Sequence, residues 1–258
     1  MHLQILKYDL FNEYKDFINE SPMETLRQNE RLDIPVDYFN FYNSVSSVYS
    51  SKIEGEEIDF DSFYKHKFLN IKYKADYTKK ADDLFAAYEF IFQNRLTFDN
   101  LKQAHRILSS NLLPKSQQGN VRNNLMFVIN NDDRIEYVAA EPAIVDEELK
   151  KLFADIDLLL NSDLTDFEAF YFAAYIHLVF VKIHPFQDGN GRAARLLEKW
   201  FLVEKLGEKA TAIQLEKNYY RNLESYYRNI KKLGIEYDDL DYSKSLKFLL
   251  MTISGLNK

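Results

Sequence analysis

Apolar residues return every three or four positions through most of the chain, the spacing that gathers them on one face of a helix. The pattern predicts helices over roughly 36–54, 59–69, 79–94, 97–111, 144–161, 166–183, 190–206, 215–233 and 243–256. Gly207 and Gly234 stand where helices would stop, and Asp146 and Asp166 near where they would start. One stretch departs from this period. Residues 125–129 and 134–138 read as strands, and Asn130-Asn131-Asp132-Asp133 between them is turn chemistry, so a β-hairpin is expected. A lone hairpin is marginally stable and must lie on the helical body, where its exposed edge offers a rail for an extended peptide.

Composition sharpens the picture. With 46% hydrophobic and 15% aromatic residues but only 7 Gly and 5 Pro in 258, the chain reads as a compact, all-α protein whose interior is filled by Tyr and Phe. No repeat or low-complexity tract interrupts it, so one globular unit is expected. A net charge of -7 without a basic cluster argues against nucleic acid as a partner. The absence of cysteine excludes disulfides, thiolate nucleophiles and Cys-ligated zinc, and fits a reducing compartment. Residues 1–20 carry charges where a signal peptide needs an apolar run, and no stretch approaches eighteen apolar residues. A cytoplasmic protein with no membrane contact is the expectation.

The chemistry concentrates in twelve residues, His184-Pro185-Phe186-Gln187-Asp188-Gly189-Asn190-Gly191-Arg192-Ala193-Ala194-Arg195. Pro185 ends the apolar helix before it, and helical periodicity resumes at Arg192, so the string predicts helix, tight loop, helix. Backbone N–H groups of Gly189, Asn190 and Gly191 at the positive end of the second helix suit a phosphate. Asp188 offers a hard oxygen to Mg²⁺, which takes one or two carboxylates and fills its shell with water and phosphate. Arg192 and Arg195, three residues apart, can neutralise phosphate oxygens. His184 at the loop mouth is a base near neutrality, and Phe186 is an anchor that buries the loop. His177 has neither a third histidine nor a cysteine nearby, and reads as a packed, hydrogen-bonded residue rather than a zinc ligand.

The string resembles the Fic family motif HPFx[D/E]GNGRxxR and matches it at every specified position. The resemblance covers roughly 40–235 and implies the Fic fold, a helical bundle around the loop and helix with a small hairpin flap. It places an N-terminal helical extension at 1–39 and a C-terminal helix at 236–258. It implies a protein adenylyltransferase that moves AMP from ATP to a Ser, Thr or Tyr hydroxyl of a target protein. By the same resemblance His184 is the base, Asp188 holds Mg²⁺, and Asn190 with the neighbouring amides of the 189–195 stretch stabilises the α-phosphate. Arg192 and Arg195 hold the outer phosphates. Gly191 stands where the Doc branch has Lys, which implies adenylyl transfer rather than phosphorylation.

Further upstream, Ser50-Ser51-Lys52-Ile53-Glu54-Gly55 fits the family's inhibitory pattern [S/T]xxxE[G/N]. Its resemblance implies an inhibitory helix at about 41–55 whose Glu54, with Ser50 on the same face, pairs with Arg195 and spoils the pose of ATP. The hairpin, about 125–138, corresponds to the family flap, with Arg134, Ile135, Glu136 and Tyr137 positioning the target and Arg122 leading into it. Tyr219 and Tyr220 resemble a pair that borders adenine, and Tyr227 stands where a relative has Asn. Two other functions share these residues: removal of AMP from a modified target, and a nucleotide-regulated peptide-binding module. The sequence leaves the target and the oligomeric state, including a homodimer, open.

Overall fold

The computed structural model describes residues 2–30, 37–73, 75–129 and 132–256. Asn130 and Asn131 of the expected turn lie outside them, as do residues 31–36 of the N-terminal segment. The fold is all-α with a two-stranded antiparallel sheet. Helices run in the order α1 (Phe11–Asp16), α2 (Pro22–Glu30), α3 (Tyr38–Ile53), α4 (Phe60–Leu69), α5 (Ala75–Gln93) and α6 (Phe98–Leu108). The strands β1 (Phe127–Ile129) and β2 (Ile135–Val138) follow. Then come α7 (Pro142–Leu160), α8 (Asp166–Ile183), α9 (Asn190–Leu206), α10 (Leu215–Arg221), α11 (Leu223–Lys231) and α12 (Leu246–Ser254).

The core is built on α8. Every residue from Ala169 to Phe180 is buried, because α7, α9 and α12 pack around it and leave it no solvent face. Thr165 starts the helix through a reciprocal capping box with Glu168. Its partner α9 is buried from Arg192 to Leu202, and the two helices form the wall on which the motif loop sits. A smaller apolar cluster, Val48, Ile58, Phe63, Ala81 and Phe85, fastens α3 to α4 and α5. That cluster matters because it fixes where the end of α3 lies.

Several expected boundaries move, three of them for reasons the structure shows. The seventh helix begins at Pro142, not near Asp146, since proline fits a first turn whose N–H has no partner. The predicted 215–233 helix breaks at Asn222, whose backbone leaves helical geometry. The last helix starts at Leu246, after two single 3-10 turns. The N-terminal segment is tied down by one carboxylate: Asp155 on α7 accepts the amides of Gln4, Ile5 and Leu6 at 2.7, 2.8 and 2.8 Å. Among the described residues no helix is long and apolar enough to cross a membrane.

Candidate active site

The loop between α8 and α9 is held from three sides. The helix α8 ends at His184, whose φ of 54° and ψ of 58° are left-handed, a backbone that costs an L-residue about 1–2 kcal/mol. Arg122 holds it there, donating from Nε to the His184 carbonyl at 2.7 Å. Phe186 is fully buried and stacks on His105 with ring centroids 3.6 Å apart. The Asn190 side chain clasps Phe186, accepting its amide and donating to its carbonyl at 2.8 Å each.

His105 is part of the scaffold. Its Nδ1 accepts the Gly119 amide at 2.9 Å, which leaves the proton on Nε2 to be donated to the Asp188 carbonyl, also at 2.9 Å. Burial pushes its pKa down to about 4, so the ring stays neutral in this role. Gly189 is left-handed, with φ of 78°, and a Cβ there would press on Leu108 at 3.2 Å and His105 at 3.3 Å.

No side chain caps the start of α9. Its first intrahelical bond is made by the Ala193 amide to the Gly189 carbonyl at 2.9 Å, so the amides of Asn190, Gly191 and Arg192 are the orphan donors of a helix N-terminus. They converge where the helix dipole is positive.

Beside this helix start lies a cavity of about 500 Å³, lined by Glu54, His184, Gly191 and Arg195 together with Val128, Glu136, Tyr226, Tyr227 and Lys231. His184 Nδ1 faces the Val181 carbonyl at 3.2 Å, a partner that only accepts. Nδ1 therefore carries the proton and Nε2 the lone pair. Burial pushes the His184 pKa below the usual histidine value, and the charge of Arg122 acts in the same direction.

Arg195 is nearly fully buried and has four contacts. Nε donates to Ser50 Oγ at 2.9 Å, Nη2 to the Ser50 carbonyl at 3.2 Å and to Glu54 Oε1 at 2.6 Å, and Nη1 to Tyr226 Oη at 3.3 Å. Burial disfavours the Glu54 carboxylate, but attraction to Arg195 and then Arg192, with the hydrogen bond from Arg195, outweighs it and holds its pKa below the ordinary value. A Cβ on Gly191 would lie 2.6 Å from the same Glu54 oxygen. The carboxylate thus occupies space that a bare glycine leaves open.

The flap forms the opposite wall. Val128 pairs with Tyr137 and Ile129 with Ile135, so Glu136 is the extra residue of a bulge. Bulges of this kind re-aim a side chain, and Glu136 meets Lys231 at 2.6 Å on the cavity rim. Tyr137 turns inward and donates to the Lys182 carbonyl at 2.6 Å. The Lys182 ammonium sits 3.9 Å from the centroid of the Tyr137 ring, and burial pushes its pKa down to about 8. The roots of the flap are tied to the loop by Arg122, which donates to the carbonyls of Asn124 at 2.7 Å and Ala140 at 2.6 Å as well as to that of His184.

The structure therefore gathers Glu54, His184, Gly191, Arg195, Glu136, Tyr137 and Tyr227 around one cavity, with Ser50 behind Arg195. Other expected members stand elsewhere. Ala193 and Ala194 are fully buried in the core, and the Ala193 amide is spent within the helix. The Asn190 side chain faces Phe186 rather than the cavity, so that of Asn190 only the main-chain amide is open to an anion. Arg192 turns away toward Glu56, with Nη2 to Oε1 at 3.6 Å, and its buried Nε has no partner. Tyr219 is fully buried and bonded to Glu198, so it backs the cavity without touching it. Tyr220 packs on Tyr49, off the cavity. Ile135 is exposed, and Ile135 and Arg134 lie outside the cavity wall.

The exposed Asp188 carboxylate accepts the Gly189 amide at 2.6 Å through Oδ1. Among the described residues no three His, Asp or Glu side chains gather as a metal site. One hard oxygen beside an anion cradle fits an ion such as Mg²⁺ that arrives with a nucleotide and completes its shell with phosphate and water. Sequence reasoning missed His105, Lys182, Tyr226 and Lys231. A signal existed for His105, a polar residue on the otherwise apolar face of α6 formed by Leu101, Ala104 and Leu108.

The model of the Fic/DOC family matches residues 95–202. The chain is 37% identical over 102 residues to "Protein adenylyltransferase Fic" of Nematostella vectensis, covering 40% of this chain and 22% of that protein. It is 30% identical over 104 residues to "Protein adenylyltransferase fic-1" of Caenorhabditis elegans, covering 40% and 18%. The match spans about a fifth of the length of these curated relatives. A Fic family protein from Desulfovibrio desulfuricans G20 superposes with a TM-score of 0.75 at 16% identity, over 99% of this chain and 74% of that one. A Fic domain containing signaling protein from Bacteroides thetaiotaomicron gives 0.67 at 18% identity, over 96% and 92%. At these identities the likeness to the solved structures is one of fold.

Proposed function

From a chain that carries a Fic-family domain, we propose a protein adenylyltransferase that moves AMP from ATP to a hydroxyl side chain of a target protein and is held back by Glu54. One observation carries this reading: His184, with the lone pair on its Nε2, Gly191 at the uncapped start of α9 and Arg195 line one cavity. A base, an anion cradle and a cation are what hydroxyl attack on a phosphate ester requires.

In this reading the nucleotide's phosphates take the amides of Asn190, Gly191 and Arg192 and the guanidinium of Arg195. The target hydroxyl attacks the α-phosphorus while His184 Nε2 takes its proton. The new O–P bond forms as the bond to the β-phosphate oxygen breaks, and pyrophosphate leaves. Asp188 would hold Mg²⁺, which offsets phosphate charge when bound. Target backbone would lie along the hairpin, where β1 has no second neighbour among the described residues, whereas the β2 edge is met at Val138 by the Ile235 carbonyl at 2.7 Å. The Glu54 carboxylate stands on Arg195 in the place of a phosphate, which supports its reading as an inhibitor. The same ionised carboxylate, facing the cavity with His184, supports removal of AMP from a modified target as a second reading.

The test is incubation with ATP labelled in the α- or the γ-phosphate. Transfer predicts protein-bound label from the α-position only, lost in His184→Ala. Label from the γ-position, or from neither in a folded Glu54→Gly protein, defeats the reading. Release of AMP from a modified target without forward labelling selects the second one.

A further inference from the structure

The Arg195 guanidinium is gripped by α3 on one side and by a line of buried polar groups on the other. Tyr226 Oη lies 3.3 Å from Arg195 Nη1 and 3.0 Å from His177 Nε2. His177 Nδ1 lies 2.6 Å from Glu198 Oε2, and Glu198 also accepts from Tyr219 at 2.8 Å and Thr252 at 2.7 Å. His177, Glu198, Tyr219 and Thr252 are fully buried. Such a line is costly to bury unless it is fully satisfied.

Donor and acceptor chemistry fixes its direction. Arginine only donates, so the Tyr226 oxygen accepts from it and the Tyr226 proton goes to His177 Nε2. That leaves the His177 proton on Nδ1, donated to Glu198. Burial raises the Tyr226 pKa, in keeping with a hydroxyl that keeps its proton. Each oxygen and nitrogen in the line then has its partner, and none is among the unsatisfied buried atoms. The line ends at the cavity wall, which Tyr226 helps to form.

We infer that Glu198, His177 and Tyr226 form a positioning relay for Arg195, with Tyr226 the positioning residue that sets the guanidinium in its phosphate-binding orientation. The inference rests on the reading of Arg195 as a phosphate ligand. Of the four groups that accept from Arg195, Ser50 Oγ, the Ser50 carbonyl and Glu54 Oε1 belong to α3 and its cap. Tyr226 is the acceptor from a different element. A phosphate that displaces Glu54 leaves Tyr226 in place, so the relay is the contact common to the blocked and the loaded states. Its benefit is orientation, because a guanidinium that does not have to be reoriented loses less freedom on binding.

The experiment uses the full chain in the Glu54→Gly background. ATP affinity is measured by calorimetry, KM and kcat by α-label transfer, and folding by thermal melting. Tyr226→Phe keeps the ring and removes the hydroxyl. It is expected to raise Kd and KM for ATP about five- to tenfold, the loss of one long hydrogen bond to a charged group, with kcat within twofold. His177→Leu, which removes the group that orients the hydroxyl, is expected to raise Kd in the same direction if it melts cooperatively. An unchanged Kd in Tyr226→Phe with a lowered melting point means packing alone and overturns the inference. Arg195→Met separates the two layers. If ATP affinity ignores Arg195→Met, the proposed function fails and the relay with it; if it responds to Arg195→Met but not to Tyr226→Phe, the relay alone fails.

Discussion

Removing Glu54 is the sharpest perturbation available. Its Oε1 lies 2.6 Å from Arg195 Nη2 and 2.6 Å from where a Cβ of Gly191 would stand, so the carboxylate fills the ground beside the start of α9. Its side chain keeps 27% of its surface open, so water screens the pair and its strength falls short of a fully buried ion pair. A hydrogen bond between charged groups on this footing contributes about 1.5–3 kcal/mol, or roughly 10- to 100-fold in the competition with phosphate. The guanidinium is not orphaned when Glu54 goes, because Ser50 Oγ, the Ser50 carbonyl and Tyr226 Oη remain. Glu54 caps α3 rather than standing inside it, so glycine is tolerated there. A stability loss of about 1 kcal/mol would move the melting midpoint by roughly 2–4 °C. Glu54→Gly is therefore expected to raise initial self-labelling from α-labelled ATP by about 10- to 100-fold with little change in melting. Glu54→Gln, which keeps the shape and drops the charge, should fall between. A folded Glu54→Gly protein labelling within twofold of the parent refutes the reasoning.

Three further outcomes follow from the geometry. Because burial lowers the His184 pKa, the base stays neutral into mild acid, so the acid limb of the pH–rate profile should lie below the usual histidine value of about 6.5; a limb above it counts against His184 as the base. His105, lowered to about 4 from an ordinary 6.5, contributes stability that is complete above 6.5 and is lost as pH falls toward 4, about 3 kcal/mol at most; His105→Gln should flatten the fall in melting temperature over that window. Arg122 forks across the carbonyls of His184, Asn124 and Ala140, and no carboxylate among the described residues pairs with it. Lys cannot span that fork, so Arg122→Lys should raise KM for the target and lower kcat together, by about tenfold each, whereas an effect on melting alone would confine Arg122 to folding.

Much of this arrangement was legible because its causes are local. The apolar periods of α3 to α9, the Pro185 stop and the two strand-like runs about a turn tetrad act over a few residues, and the motif residues follow one another along the chain. The pairing of Glu54 with Arg195 spans more than 140 residues and was reached through resemblance, whereas the bond from Arg195 to Ser50 was not anticipated. What depends on a remote partner and no motif was not legible. Asp155 gathers three amides from 150 residues away, and His105 reaches the Asp188 carbonyl across 83. The tyrosines are the clearest case. Tyr219, Tyr220, Tyr226 and Tyr227 all fit one helical period, but the helix breaks at Asn222, and it is Tyr226 and Tyr227, not Tyr219 or Tyr220, that line the cavity. Neither glycine nor proline announces that break, and Asn222 itself is only a weak signal.

In the proposed function the space beside Gly191 has two claimants, the Glu54 carboxylate that now stands there and the phosphate it would have to yield to. A methyl group there would collide with the carboxylate oxygen, and on that reading it would also crowd the helix start proposed to take a phosphate. Any substitution at this position that evicts the gatekeeper also narrows the doorway for the guest. If Glu54 restrains the reaction as proposed, loss of restraint through mutation is channelled to the far partner, on α3 and its cap, and a selection for hyperactive variants should return changes around Ser50 and Glu54 while leaving position 191 untouched.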